Sequence, residues 1–159
     1  MISRTIVDYD IEMLREAFEE VAQSGQFVNG PRAKRFEDAV CEYVGVNHCI
    51  GVNSGTSALL LAYKVLGAEK ILTTPFTFSA TAMAGLFQGM EVVFCDIEEE
   101  TYCMDMDDVE KKLQEHGDID VVVPVHIFGA GTDMDRLGEL KDKYGFKVVS
   151  DSAQAFGTR

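Results

Sequence analysis

Hydrophobic positions along this chain first recur at helical spacing, then break into short apolar runs separated by further helical stripes. Ile11, Leu14, Phe18 and Val21 lie three or four residues apart. They predict an amphipathic helix over residues 10–24, closed by Gly25. Pro31 suits the first turn of a second helix, Phe36, Val40 and Val44 mark its apolar face, and Gly45 follows it as a left-handed stop. From Cys49 onward the period changes. Apolar runs predict strands over 49–52, 70–74, 91–96, 120–127 and 147–150. Helical stripes predict helices over 56–66, 78–88, 107–114 and 133–144 between them. Asp107 and Glu110 stand at capping-box spacing, and Asp133 is placed to cap the last helix.

Strands alternating with helices indicate βαβ units, hence an α/β fold with three αβα layers and a mostly parallel sheet. Val121-Val122-Val123 and Val148-Val149 read as strands covered on both faces. The expected organisation is an N-terminal helical segment over 1–47 and an α/β domain over 48–159, the latter expected to be incomplete.

Composition narrows the function classes. The chain has 159 residues, 47% of them hydrophobic, and a net charge of −13. That suits a packed core. It argues against nucleic-acid binding, which needs basic surface to displace counterions from phosphates. The most lipid-like run, residues 80–87, is far short of the roughly 20 residues that span a bilayer. No apolar stretch follows Met1-Ile2-Ser3-Arg4, so the expectation is a cytoplasmic protein. Cys41, Cys49, Cys95 and Cys103 form no CxxC pair and are expected to be free, buried or half-buried thiols. No Cys/His/Asp cluster has metal-ligand spacing, so no metal is expected.

Three segments could carry chemistry, each at a strand's carboxyl end, where ligands of open α/β sheets bind. Asn53-Ser54-Gly55-Thr56-Ser57 opens a helix. The N–H groups of Thr56 and Ser57 at that terminus, with their hydroxyls, could hold an anion, or the segment could be an ordinary N-cap. It is neither GxGxxG nor a Walker loop, and no GxSxG occurs anywhere. Thr74-Pro75-Phe76-Thr77-Phe78 puts aromatics where they could stack on a flat ring, although each alone reads as readily as core. Asp151, with Gln154 three residues on, ends the last strand. An ionised carboxylate there could keep a ring nitrogen protonated, or it could cap a following turn. Together the three supply a phosphate grip, a ring plate and a pyridinium partner, the parts that hold pyridoxal 5′-phosphate.

The order and wording of the motifs resemble the DegT/DnrJ/EryC1/StrS family of sugar aminotransferases, of the aspartate-aminotransferase-like fold type I. The blocks are Phe27-Val28-Asn29-Gly30-Pro31; Phe36-Glu37 with Tyr43-Val44-Gly45-Val46; Ser54-Gly55-Thr56-Ser57-Ala58-Leu59; Phe76-Thr77-Phe78-Ser79-Ala80-Thr81; Pro124-Val125-His126 with Gly129; and Asp151-Ser152-Ala153-Gln154-Ala155-Phe156-Gly157. The resemblance implies that Gly55, Thr56 and Ser57 hold the cofactor phosphate. Phe78 would stack on the pyridine ring, Asp151 pair with its nitrogen, and Gln154 approach its ring oxygen. His126 is read as structural, and Ser152 stands where the family usually has alanine. The implied substrates are a nucleotide-linked keto-sugar and an amino-acid donor, and the implied assembly is a homodimer.

The family's reaction also needs a Schiff-base lysine downstream of the acid. Lys34, Lys64, Lys70, Lys111, Lys112, Lys141, Lys143 and Lys147 are present, and none sits in the family's lysine motif. The expectation is therefore the N-terminal portion of an aminotransferase, without catalytic lysine or C-terminal small domain and inactive alone. The alternative is a non-catalytic remnant that binds a phosphorylated ligand or dimerises.

Overall fold

The computed structural model describes residues 10–158. The tetrapeptide at the N-terminus and Arg159 therefore lie outside the described residues. The chain divides into two compact units, one ending at Gly51 and the other beginning at Val52.

The first unit holds helices α1 (Ile11–Ser24) and α2 (Pro31–Val44). Asp10 caps α1, its side chain accepting from the Met13 N–H at 3.0 Å, and Gly25 ends it with φ 66°. Pro31 opens α2 as expected, since its missing N–H is one that a first turn leaves unpaired anyway. The residue before it must be glycine. A Cβ on Gly30 would lie 2.6 Å from the Gln26 carbonyl oxygen. Glu20 ties α1 to α2 through Arg32 at 2.7 Å and Arg35 at 2.6 Å. Neither helix contains a buried residue.

The second unit is a four-stranded sheet, all parallel, in the order β2-β1-β3-β4. Its strands are β1 (Lys70–Thr73), β2 (Glu91–Phe94), β3 (Val121–Val122) and β4 (Lys147–Val148). Helices α3 (Gly55–Leu66), α4 (Ala80–Leu86), α5 (Met106–His116) and α6 (Met134–Tyr144) complete it. Alternation along the strands sorts the apolar side chains into two layers. Leu72, Val93 and Val122 pack with Val109 and Leu113 of α5 and Leu137 and Leu140 of α6. Ile71, Val121 and Val123 pack on the other face with Leu59 and Tyr63 of α3 and Ala80 and Ala84 of α4. This is the expected αβα sandwich.

Several expectations change. The strands expected over 120–127 and 147–150 shorten to Val121–Val122 and Lys147–Val148, and the helix expected over 78–88 to Ala80–Leu86. Residues 49–52 form no strand, because no segment among the described residues pairs with them. Helix α5 starts one residue early and is capped by Asp105, not Asp107. Asp105 accepts from the Asp107 N–H at 2.9 Å. Asp108, three residues after the cap, reaches the Asp96 N–H at 2.8 Å and ties the helix to the end of β2. Asp133 does cap α6, accepting from the Arg136 N–H at 2.9 Å.

The strand order positions the site. The chain passes from β1 outward to β2, then crosses back over β1 to β3 and on to β4. The reversal lies between β1 and β3, and the carboxyl ends of strands flanking such a switch form a ligand crevice.

Candidate functional site

A cavity of about 310 Å³ lies at these carboxyl ends. Ser54, Gly55 and Thr56 from the start of α3, Thr77 and Phe78 after β1, Val125 and His126 after β3, and Asp151 and Gln154 after β4 all line it. Segments spaced along 100 residues of sequence thus meet in one place. No lysine is among the lining residues.

One corner of the cavity is built by the cap of α3. Ser54 Oγ accepts from the Ser57 N–H at 3.1 Å and donates to Ser57 Oγ at 3.0 Å. The Ser57 N–H is therefore engaged, contrary to the sequence reading that left it free. The N–H groups of Gly55 and Thr56 make no hydrogen bond among the described residues and stay available. A Cβ on Gly55 would meet nothing within 4 Å, so packing inside the protein does not require a glycine there.

Phe78 is 75% exposed, which removes it from the core and leaves its ring as a wall of the cavity. Phe76 behaves differently. It packs with Tyr102, centroids 5.5 Å apart, and with Phe128 at 6.1 Å. Tyr102 and Phe128 both take left-handed backbone, φ 59° and 54°, uncommon for residues with side chains.

Asp151 continues the β3–β4 ladder past the regular strands. Its N–H donates to the Pro124 carbonyl at 2.8 Å, and its carbonyl accepts from the His126 N–H at 3.1 Å. Its carboxylate Oδ2 accepts from the Thr81 hydroxyl at 2.8 Å, and Oδ1 accepts from the Ala153 N–H at 3.3 Å. Thr81 is fully buried, and its carbonyl accepts from the Tyr63 hydroxyl at 3.0 Å. Burial, helped by the negative charge of Asp151, holds the Tyr63 phenol well above its ordinary value, so it stays neutral.

Gln154 Oε1 accepts from the Phe128 N–H at 2.8 Å. That bond fixes the amide orientation and leaves Nε2 as a donor. His126 Nδ1 accepts from the Thr132 N–H at 3.1 Å, which places the ring proton on Nε2. Burial pushes His126 below its usual value, and the Asp151 charge opposes this in part.

Sequence reasoning assigned no role to Thr81 and read His126 as structural. A threonine near a helix start looks like a local cap, and its partner Asp151 is 70 residues away. No local signal could have found that bond. Beyond the site, the described residues hold no group of three or more His, Cys, Asp or Glu suited to a metal ion. No helix among them is long and apolar enough to cross a membrane.

The cavity offers two free N–H groups, an aromatic face, a carboxylate and an amide donor. Residues 8–159 match the DegT/DnrJ/EryC1/StrS aminotransferase family. The chain belongs to that family. DegT/DnrJ/EryC1/StrS enzymes are sugar aminotransferases that use pyridoxal phosphate. Over 150 residues the chain is 37% identical to the UDP-4-amino-4,6-dideoxy-N-acetyl-β-L-altrosamine transaminase of Campylobacter jejuni, covering 93% of this chain and 39% of that protein. Among solved structures it resembles S. venezuelae DesV in complex with a ketimine intermediate (TM-score 0.86, 34% identity, 92% of this chain and 41% of that one). It also resembles ntda of Bacillus subtilis with bound cofactor PMP (TM-score 0.89, 28% identity, 96% of this chain and 35% of that one). The chain thus spans about two fifths of the relatives it matches.

Proposed function

We infer that this chain forms the cofactor-holding half of a pyridoxal-phosphate-dependent aminotransferase acting on a nucleotide-linked keto-sugar with an amino-acid donor. The observation that carries the reading is the single cavity that gathers all three motifs. Its donor set suits the cofactor. The N–H groups of Gly55 and Thr56, with the hydroxyls of Thr56 and Ser57, would take the phosphate at a helix N-terminus. Phe78 would cover the ring face. Asp151 would accept from the protonated ring nitrogen, and Gln154 Nε2 would donate to the ring oxygen. The bound cofactor supplies the electron sink for transamination. The chain's part is to orient that ring and keep its nitrogen protonated.

Schiff-base chemistry needs a lysine, and none lines the cavity. A polypeptide of these 159 residues would therefore bind cofactor without turning it over. In a whole protein the lysine and the second half of the site would come from elsewhere, including the partner subunit of a homodimer. The absence of lysine from the cavity lining favours a second reading, a module that holds a phosphorylated ligand without chemistry. Transamination of a keto-sugar by the whole protein separates the two.

The test uses pyridoxamine 5′-phosphate, which needs no Schiff base. Titration calorimetry is expected to show saturable binding that inorganic phosphate competes away. Asp151→Asn is expected to weaken it by about tenfold or more, the scale of one charge-assisted hydrogen bond. No saturable binding would reject the reading. Transaminated product from the 159-residue chain alone would overturn the assignment of the lysine elsewhere.

A further inference from the structure

A carboxylate that recognises a ring N–H must present one oxygen along the ring plane, and a side chain with free rotation about χ2 would not hold it there. Asp151 is not free to rotate. Its Oδ2 is 2.8 Å from the hydroxyl of Thr81, which is fully buried, whereas Oδ1 takes only the longer 3.3 Å bond from the Ala153 N–H and keeps a lone pair free to accept again. Thr81 Oγ1 is in turn 2.8 Å from Thr77 Oγ1 and 3.2 Å from the Phe78 carbonyl. A hydroxyl has one proton to give. An ionised carboxylate is the strongest acceptor within reach, so that proton goes to Asp151. The Thr77 hydroxyl then donates to Thr81, and the two threonines form a chain that ends on the carboxylate. Such chains strengthen each member by polarisation. Tyr63 anchors the chain by donating to the Thr81 carbonyl at 3.0 Å. The titratable groups facing Asp151 are Tyr63 and His126. Tyr63 is held neutral by burial, and His126 carries its proton on Nε2, so neither supplies a positive charge that could do the same work.

We propose that Thr81, backed by Thr77, is a positioning residue for the ring nitrogen: it pins Asp151 Oδ2 so that Oδ1 is the oxygen that meets the cofactor. Thr77 and Thr81 lie in the segment that carries Phe78, so the ring plate and the ring-nitrogen acceptor are set by one piece of chain. The proposal rests on the cofactor reading given above.

The experiment compares two ligands. One is pyridoxamine 5′-phosphate. The other is its 1-deaza analogue, in which a C–H replaces the ring nitrogen while the phosphate and ring face are unchanged. The wild-type chain is expected to prefer the nitrogen-containing ligand by about tenfold or more, the scale of a hydrogen bond to a charged group. Thr81→Val keeps the shape and removes the hydroxyl. It is expected to reduce that preference to about twofold or less while leaving affinity for the deaza analogue unchanged, and Thr81→Ser is expected to restore it. Equal weakening toward both ligands would mark a merely structural threonine and overturn the proposal, as would an unchanged preference. If Thr81→Val does not fold, Thr77→Val decides. It is expected to give an intermediate preference, and a preference equal to wild type overturns the proposal. A wild-type chain that binds neither ligand would overturn the cofactor reading and this inference with it. A wild-type preference that survives Thr81→Val would overturn this inference alone.

Discussion

Two titratable side chains, Asp151 and His126, sit side by side where β3 and β4 end, each held by a hydrogen bond from a different segment. Asp151 accepts hydrogen bonds from the Thr81 hydroxyl and the Ala153 N–H. His126 accepts at Nδ1 from a backbone N–H that cannot move away, which favours the neutral form. Burial lowers His126 below the ordinary histidine value, with the Asp151 charge pulling the other way. The unfolded chain therefore takes up a proton at this residue before the folded chain does. Stability from a neutral His126 is complete above the ordinary histidine range and is lost as pH falls through it. Unfolding free energy is thus expected to drop between roughly pH 7 and pH 5. His126→Gln is expected to flatten that slope, and urea denaturation across the range checks it. A slope unchanged by the substitution would mean that other groups carry it. In the sequence both residues were visible as strand-end polar residues. Their hydrogen-bond partners were not, because Thr81 and Thr132 approach from other segments.

At the scale of elements, α4 shows how composition sets packing distance. Ala80, Thr81, Ala84 and Gly85 are its buried residues, and small side chains let the helix lie close on β1 and β2. A Cβ on Gly85 would lie 2.8 Å from Ile71 Cδ1 and 3.6 Å from Val92 Cγ2. Gly85→Ala gains helix propensity of about 0.5–1 kcal/mol but overpacks the layer at a cost of about 1–3 kcal/mol. The clash outweighs the gain, and a net loss of about 1 kcal/mol is expected. Gly138 in α6 is the control, since its Cβ would meet nothing within 4 Å. Gly138→Ala is expected to stabilise by about 0.5–1 kcal/mol. Denaturant midpoints moving in opposite directions would support both, and midpoints moving together would contradict the packing. The sequence showed a helix rich in small residues here but not which glycine touches the sheet. Period and cap signals placed six helices and four strands, because each is written in neighbouring residues. They failed at 49–52, where an apolar run alone cannot supply a strand partner. At α5 they chose Asp107 over Asp105, because three acids stand in the first turn's reach and only the fold decides which one caps.

On the scale of the whole molecule, burial is unevenly distributed. The residues of α1 and α2 are none of them buried, whereas the unit from Val52 onward carries an apolar layer on each face of its sheet. The four cysteines sample this difference. Cys95 lies in the layer under α5 and α6, 2% exposed, and Cys103 is 1% exposed with its thiol 3.6 Å from the Ala130 carbonyl. Burial, with Asp108 nearby, pushes the Cys95 thiol up to about 12, so almost none of the reactive thiolate exists at pH 8. Cys41 and Cys49 in the first unit are only half-buried. Burial and the neighbouring Cys41 raise Cys49, so it is expected to react more slowly than a free thiol but to remain reachable. A disulfide reagent at pH 8 is therefore expected to titrate two thiols in the native chain and all four in denaturant. Cys95→Ser and Cys103→Ser are expected to leave the native count at two, while Cys41→Ser is expected to reduce it to one. Four thiols reacting at one rate under native conditions would mean that the layer holding Cys95 is not packed. The crevice above it, which depends on that sheet, would then have no fixed floor.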